Sequence, residues 1–371
     1  MFSVPQLTRL AYALRDQRVL TIYIDGSASD PALQRTWRVQ IDHALKDLRE
    51  WLADSPHDER EEFDVCVDAL EAELAEFDGG VGAPGAVSFV SRRHTPETHT
   101  LPVPTPTIAV WSTGPCLSPY MRALKQTRSV IVAISDARKT RLFRYRLGTL
   151  EHLDDVRSNG NVASMSHMGS APRLGFHGGT RGRTGRDAAQ RTLLNGRDRM
   201  IGIAAQRIAE LADGDGWIVL GGIHRVASRI AERLALAMPG RVAVLDSLDI
   251  HATEAAISEA AGGAASALRD ASDGRRLTEI CEASGANLLG VVGFEETRQA
   301  LDQRCIRDLL VTHSFIEGHA AEAERVIRDA LAQDAVVEEV VRDVAVRLDE
   351  IGGIAAGLRF RPSLVDVPVL A

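Results

Sequence analysis

The sequence contains no apolar run long enough to cross a bilayer. Its longest hydrophobic stretches are broken by charge within about ten residues, against the roughly 20 that a spanning helix needs. Residues 1–20 carry Arg9, Arg15, Asp16 and Arg18 and hold no apolar core, so a secretory leader is not expected there. Cysteine is scarce: Cys66, Cys116, Cys281 and Cys305 lie far apart and form no CxxC pair. That spacing excludes a disulfide scaffold or zinc ribbon, and points to buried thiols in a reducing cytoplasm. Familiar catalytic signatures are also missing. There is no GxSxG elbow, no Walker Lys-Ser/Thr, no GxGxxG spacing and no pair of carboxylates marked out by position. His167, His177, His224 and His251 lack helical i, i+4 spacing with a carboxylate helper, so neither a metal nor a cofactor is expected.

What remains is the composition of an ordinary globular protein. Of 371 residues, 45% are hydrophobic and 25% charged, with 14 Pro and 31 Gly, which argues against disorder or a collagen-like repeat. At roughly 100–200 residues per domain, the length implies two or three domains.

The charge is unevenly placed. A net −8 speaks against a nucleic-acid binder taken as a whole. Yet residues 136–199 hold thirteen basic and six acidic side chains, a local +7 that leaves −15 for the rest. Such an excess is an electrostatic footprint for a polyanion. It is almost entirely arginine, whose flat guanidinium forks onto phosphate oxygens and stacks on bases. The plainer alternative is a solvated, arginine-rich surface.

Along the chain, 19–24 reads as a strand. One helix follows with Trp37, Ile41, Leu45, Leu48 and Leu52 on a face, and another with Phe63, Val67, Leu70, Leu74 and Phe77. Strands at 86–90 and 107–111 complete a small N-terminal α/β domain, 1–127, with Pro102, Pro104 and Pro106 between them. A middle domain, 128–252, opens with strands at 129–134 and 140–145 and a short one near Leu150. The alternation places Leu142 on one face and Phe143 and Tyr145 on the other. A helix over 186–212 should turn Leu193, Met200, Ala204, Ile208 and Leu211 inward, and 217–245 reads as a βαβ unit. A meander followed by βαβ predicts an RNase H-like mixed sheet. The Ala-rich stretch 252–268 reads as a helix interrupted at Gly262-Gly263. A C-terminal α/β domain, 253–371, then alternates helix and strand, with 288–292 left open, 335–340 of either type, and a closing strand at 354–360.

Between the meander and the long helix, 158–185 shows no period at all. A connection of about 27 residues is far beyond the usual 4–6. It ends in His177-Gly178-Gly179-Thr180-Arg181-Gly182-Arg183-Thr184-Gly185-Arg186, directly ahead of the helix. Glycines let the backbone come close to a ligand, and a helix N-terminus offers unpaired N–H groups to a phosphate. The pattern suits an RNA backbone better than ATP; a flexible surface loop is the alternative. Asp136, after the first middle-domain strand, has no companion carboxylates for a nuclease Mg²⁺ site and reads as a turn residue.

In its order of parts the chain resembles the archaeal and eukaryotic class-I release factors and Pelota. A meander, a long Gly/His/Arg loop, a long helix and a βαβ finish are shared with the middle domain of that family. Gly352, Gly353, Ile354, Leu358, Arg359 and Phe360 match its closing strand. The pair over 294–312 is similar to its ribosomal-protein-like third domain, and 119–124 to the bacterial archaeo-eukaryotic release factor-like proteins. The resemblance implies a fold of three domains and a cytoplasmic translation factor bound to the ribosome. Where release factors carry Gly-Gly-Gln, this chain has Gly178-Gly179-Thr180. Threonine reproduces neither the reach nor the amide of glutamine, and no Asn-Ile-Lys-Ser stop-codon motif is recognisable. Pelota and the Balon-like hibernation factors lack the glutamine as well.

The resemblance therefore implies a non-catalytic factor of the ribosomal A site, acting in hibernation or in rescue of stalled ribosomes. Arg173, His177, Gly178, Gly179, Arg181, Arg183 and Arg186 would meet rRNA and the tRNA end, with a translational GTPase as a further partner and neither membrane nor DNA. One alternative is a peptidyl-tRNA hydrolase or tRNA-cleaving enzyme using Gly178, Gly179 and Thr180. Another is a non-ribosomal protein-interaction module.

Overall fold

The computed structural model describes residues 3–28, 30, 36–75, 80–158, 185–212 and 216–361, without the side chains of 185–193. It is a mixed α/β protein with three sheets. The chain divides into two compact units, residues 1–127 with 273–371, and residues 128–272.

In the first unit, strand β1 (Arg18–Asp25) is paired antiparallel to β2 (Gly85–Ser91) and β4 (Ile108–Thr113), with β3 (His94–Leu101) outside β2. The continuous apolar run of β1 follows from burial of both its faces. Leu20, Ile22 and Ile24 point to one cluster, with Trp37, Ile41 and Leu45 of α2 (Thr36–Trp51) and Phe63, Val67, Leu70 and Leu74 of α3 (His57–Leu74). Val19 and Tyr23 point the other way. Phe77 of the expected stripe lies outside the described residues. Two elements beyond the sequence reading complete this part. Helix α1 (Val4–Leu14) buries Leu7, Leu10, Ala11 and Leu14, and Gln6 accepts the Ser3 N–H at 2.8 Å. Strand β3 is polar and contains Pro96, which its edge position tolerates.

The last hundred residues supply a second four-stranded sheet to the same unit. Its order is β10 (Gly290–Val292), β13 (Ile354–Leu358), β11 (Ile306–Thr312), β12 (Val336–Val340), with only β11 and β12 parallel. The open segments 288–292 and 335–340 thus each hold a strand. One face packs on Leu277 and Ile280 and on Val344 and Leu348. The other face, through Leu309, Val311, Ile354 and Ala356, joins Leu7, Leu10, Tyr23, Phe89 and Tyr120 in a single cluster. Ala323, Val326, Ile327 and Ala330 of the helix Ala320–Leu331 lie in that cluster too.

The seam between these parts is charged and satisfied. Glu324, 6% exposed, accepts the N–H groups of Leu117 at 2.6 Å and Ser118 at 3.1 Å, where the helix α4 (Ser118–Gln126) begins. Tyr23 donates to the Cys116 carbonyl at 2.8 Å, and Arg328 to that of Pro115 at 3.1 Å. Lys125 is buried against Asp273 at 2.6 Å, Glu338 at 3.3 Å and the Glu339 carbonyl at 2.8 Å. Burial pushes the Asp273 carboxyl up despite Lys125, and pushes the Cys116 thiol up with help from Glu324.

The second unit holds a five-stranded sheet in the order β7 (Thr149–Arg157), β6 (Lys139–Arg146), β5 (Val130–Ser135), β8 (Trp217–Gly222), β9 (Val242–Val244). The first three strands form an antiparallel meander, while β5, β8 and β9 run parallel. On one face lie α5 (Gly185–Leu211), through Met200, Ala204 and Ile208, and α6 (His224–Ala235), through Val226, Ile230 and Leu234. Leu142 faces these helices. Phe143 and Tyr145 face α7 (Glu254–Gly285), with Ile257, Ala261 and Ala264. Leu211 is only half-buried, and the Leu193 side chain is outside the described residues.

The expected break at Gly262-Gly263 is not there, because α7 runs straight through. Each glycine costs a helix about 1 kcal/mol, but a Cβ at Gly262 would meet the Tyr145 hydroxyl at 2.8 Å. The glycine is a place for Tyr145 to rest rather than a stop.

Candidate functional site

The arginine-rich region belongs to the second unit. Strand directions decide where its parts sit. Because β5, β8 and β9 are parallel and β7 follows two antiparallel turns, the ends at Ser135, Arg157, Gly222 and Val244 all lie on one edge of the sheet. Helix α5 closes the far edge, where Gly216 donates to Ala212 at 2.9 Å before β8 begins. Its 27 residues measure about 40 Å, roughly twice the length of a six-residue strand. The core positions of α5 start at Met200.

On the edge itself Asp136 shapes the turn from β5 to β6. Its carboxylate accepts the N–H groups of Arg138 at 2.6 Å and Lys139 at 2.7 Å. This is the turn role read from the sequence.

The basic side chains of the meander are mostly matched by acids of the same unit. Lys139 pairs with Asp155 at 2.8 Å, Arg144 with Glu151 at 3.6 Å and Arg157 with Asp155 at 3.7 Å. Arg207 reaches Asp154 at 3.5 Å, and Arg229 reaches Asp198 at 2.6 Å. Arg141 bonds the Ile250 carbonyl at 3.0 Å and lies 5.6 Å from the Phe143 ring centre. Burial raises the Asp155 carboxyl, but hydrogen bonds from Lys139 and His152 outweigh it, and the net shift is downward.

By contrast, 159–184 contains Arg173, Arg181 and Arg183 and no acid at all. That segment supplies three of the seven charges of the regional excess. Arg173, His177, Gly178, Gly179, Thr180, Arg181 and Arg183 lie outside the described residues. Arg186 stands in the first turn of α5, its side chain likewise outside them.

Ser228 and Asp246 escaped the sequence reading. They meet His224 on the carboxyl edge, with His224 Nδ1 2.6 Å from Asp246 and Ser228 Oγ 3.2 Å from His224 Nε2. No motif spacing joins 224, 228 and 246; only the βαβ crossover does. Among the described residues, no group of three or more His, Cys, Asp or Glu side chains is arranged to hold a metal ion.

With this geometry in place, residues 115–266 match the bacterial archaeo-eukaryotic release factor family 10 model. The match covers the middle of the chain, about two fifths of its length. The matched span contains the five-stranded sheet, the arginine-rich connection and α5. Among solved structures, Pelota of Archaeoglobus fulgidus is 16% identical over 74% of this chain and 79% of its own, with a TM-score of 0.32. Dom34 of S. cerevisiae, a translation termination-like factor, is 10% identical over 75% and 80%, with a TM-score of 0.47. The archaeal termination factor aRF1 is 15% identical over 97% and 99%, with a TM-score of 0.26. No curated protein matches the chain. Among the described residues, no helix is long and apolar enough to cross a membrane.

Proposed function

We propose that this chain is a ribosome-associated factor of the release-factor type. It occupies the ribosomal A site for hibernation or for rescue of stalled ribosomes, and does not hydrolyse peptidyl-tRNA. The observation that supports this reading is the match to the family 10 model over 115–266, with an acid-free segment of three arginines inside it. Arg173, Arg181, Arg183 and Arg186 hold rRNA or tRNA phosphates, and the Gly178-Gly179 backbone approaches the tRNA end beside His177. Thr180, standing where release factors have glutamine, leaves no amide to orient the attacking water. The middle domain is RNase H-like in this reading, and a translational GTPase is the class of partner that delivers it.

The test is cosedimentation with ribosomes over a salt series. Four neutralised phosphates, at 0.7–0.9 log unit each, give a loss of roughly three log units of affinity per tenfold rise in salt. Replacing Arg181 and Arg183 with Ala lowers that slope by about half. Affinity that stays flat with salt overturns the reading. A release assay on stalled ribosomes separates the enzymatic alternative. Peptide released by the wild type and lost in Gly178→Ala or Gly179→Ala establishes hydrolysis; occupancy without release supports the proposal.

A further inference from the structure

The contact between His224, Ser228 and Asp246 has the geometry of an activated nucleophile, and the fold explains how it arises. Strand β8 ends at Gly222, whose φ of +94° and closeness to the Ser135 backbone leave no room for a side chain. Ile223 then donates to the Ser135 carbonyl at 2.8 Å, and α6 begins at His224 with no side-chain cap. Four residues later, one turn along the same face, comes Ser228. Asp246 follows β9, the parallel neighbour of β8, so the βαβ crossover returns its carboxylate to the same edge. The carboxyl edge of parallel strands is where open α/β sheets bind their ligands.

The hydrogen bonds assign the proton positions. Asp246 accepts from Nδ1–H at 2.6 Å, which leaves Nε2 with its lone pair facing the Ser228 hydroxyl at 3.2 Å. Both distances fall within the range for a nucleophile, its base and an orienting acid. His224 and Asp246 are open to solvent, with side chains 68% and 77% exposed, and Ser228 is half-buried.

We propose that Ser228, His224 and Asp246 form an acyl-transfer relay that cleaves carboxylic esters at this edge, using none of the residues assigned to ribosome binding. Ser228 Oγ attacks the ester carbonyl carbon while its proton passes to His224 Nε2, and Asp246 balances the imidazolium. Collapse of the tetrahedral adduct breaks the bond to the alcohol oxygen, which takes the proton from His224. Water, deprotonated by the same nitrogen, then attacks the acyl-serine; collapse breaks the bond to Ser228 Oγ, which takes the proton back from His224, and the acid leaves. Overall, ester and water become acid and alcohol. Because the side chains lie on an open surface, the relay takes esters displayed on a large molecule as readily as small ones.

Surface histidines cleave nitrophenyl esters unaided, so the decisive readout is residue-resolved. The full-length chain is treated with a fluorophosphonate, and the adduct is mapped by mass spectrometry. Labelling at Ser228 is expected in the wild type and lost in Ser228→Ala. It should slow by at least about a hundredfold in His224→Gln, the low end for removing a general base, and measurably in Asp246→Asn. His224 and Asp246 face solvent and Ser228→Ala removes a single oxygen, so unchanged melting curves are expected and show that the variants fold. No adduct at Ser228 in folded wild type, or equal labelling rates in Asp246→Asn, overturns the proposal.

Discussion

In the unit built from residues 1–127 and 273–371, charged side chains lie inside. Glu324, Lys125, Asp273 and Glu338 are buried, and each has a partner. In the unit of residues 128–272 charges lie at the surface, with His224, Asp246 and Arg157 on the carboxyl edge and Glu151 toward the opposite one, all open to water. Buried ions must be matched or the fold pays several kcal/mol, whereas exposed pairs contribute about 0–1 kcal/mol. Charge in the first unit therefore fixes structure. In the second it lies at the surface in pairs that contribute little to stability.

The strongest challenge to this contrast is Lys125→Ala, which takes a cation from Asp273 and from Glu338, the latter still facing Arg276 at 3.6 Å. A loss of about 3–5 kcal/mol is expected, confined in segment-resolved hydrogen exchange to residues 1–127 and 273–371. An equal loss of protection in 128–272 would dissolve the distinction. Next comes Gly114→Ala. Gly114 has a φ of +78°, and a Cβ there would meet the Arg328 guanidinium, with Nε at 2.5 Å. Arg328 is held on the Pro115 carbonyl, so the substitution should cost about 1–3 kcal/mol in denaturant unfolding.

At the exposed edge the effects shrink. Asp155→Asn should cost only about 0.5 kcal/mol. The native carboxyl lies below its ordinary value, so its contribution is complete at neutral pH and fades as pH falls through the carboxylate range. Wild type and variant should then melt alike in acid. The smallest effect is a null one. The Cys66 thiol is buried and pushed up to about 12, and Cys116 is buried beside Glu324. Neither should react with a thiol reagent at neutral pH until the protein is unfolded.

Local periodicity made much of the fold legible. The stripes from Trp37 and Phe63, the Leu142/Phe143 alternation and the βαβ of 217–245 depend on neighbours a few residues apart, and the sequence displays those directly. Gly262 misled because its reason, the Tyr145 hydroxyl, is more than a hundred residues away. Strand β3 hid because an edge strand with Pro96 and alternating polar residues shows no apolar pattern. Helix α1 passed as a stretch of charges, although Leu7, Leu10 and Leu14 lie one face apart. The Glu324 seam was invisible because one of two glutamates in a charged helix does not reveal backbone partners 206 and 207 positions earlier. The arginine excess was readable from composition alone, while Ser228 and Asp246 had no signature until the crossover brought them to His224.

The shared core has a consequence for how the molecule is made. Val19, Tyr23, Val87 and Phe89 are completed by Ile327, Ala330 and Leu331, which leave the translating ribosome some two hundred residues after Thr127. At 5–20 residues per second, the nascent first sheet waits roughly 10–40 s with an oily face uncovered. The intervening 145 residues of the second unit have time to fold in the meantime. Synthesis thus runs opposite to chain order at the level of completed parts: the insert matures first, and the frame that carries it closes last.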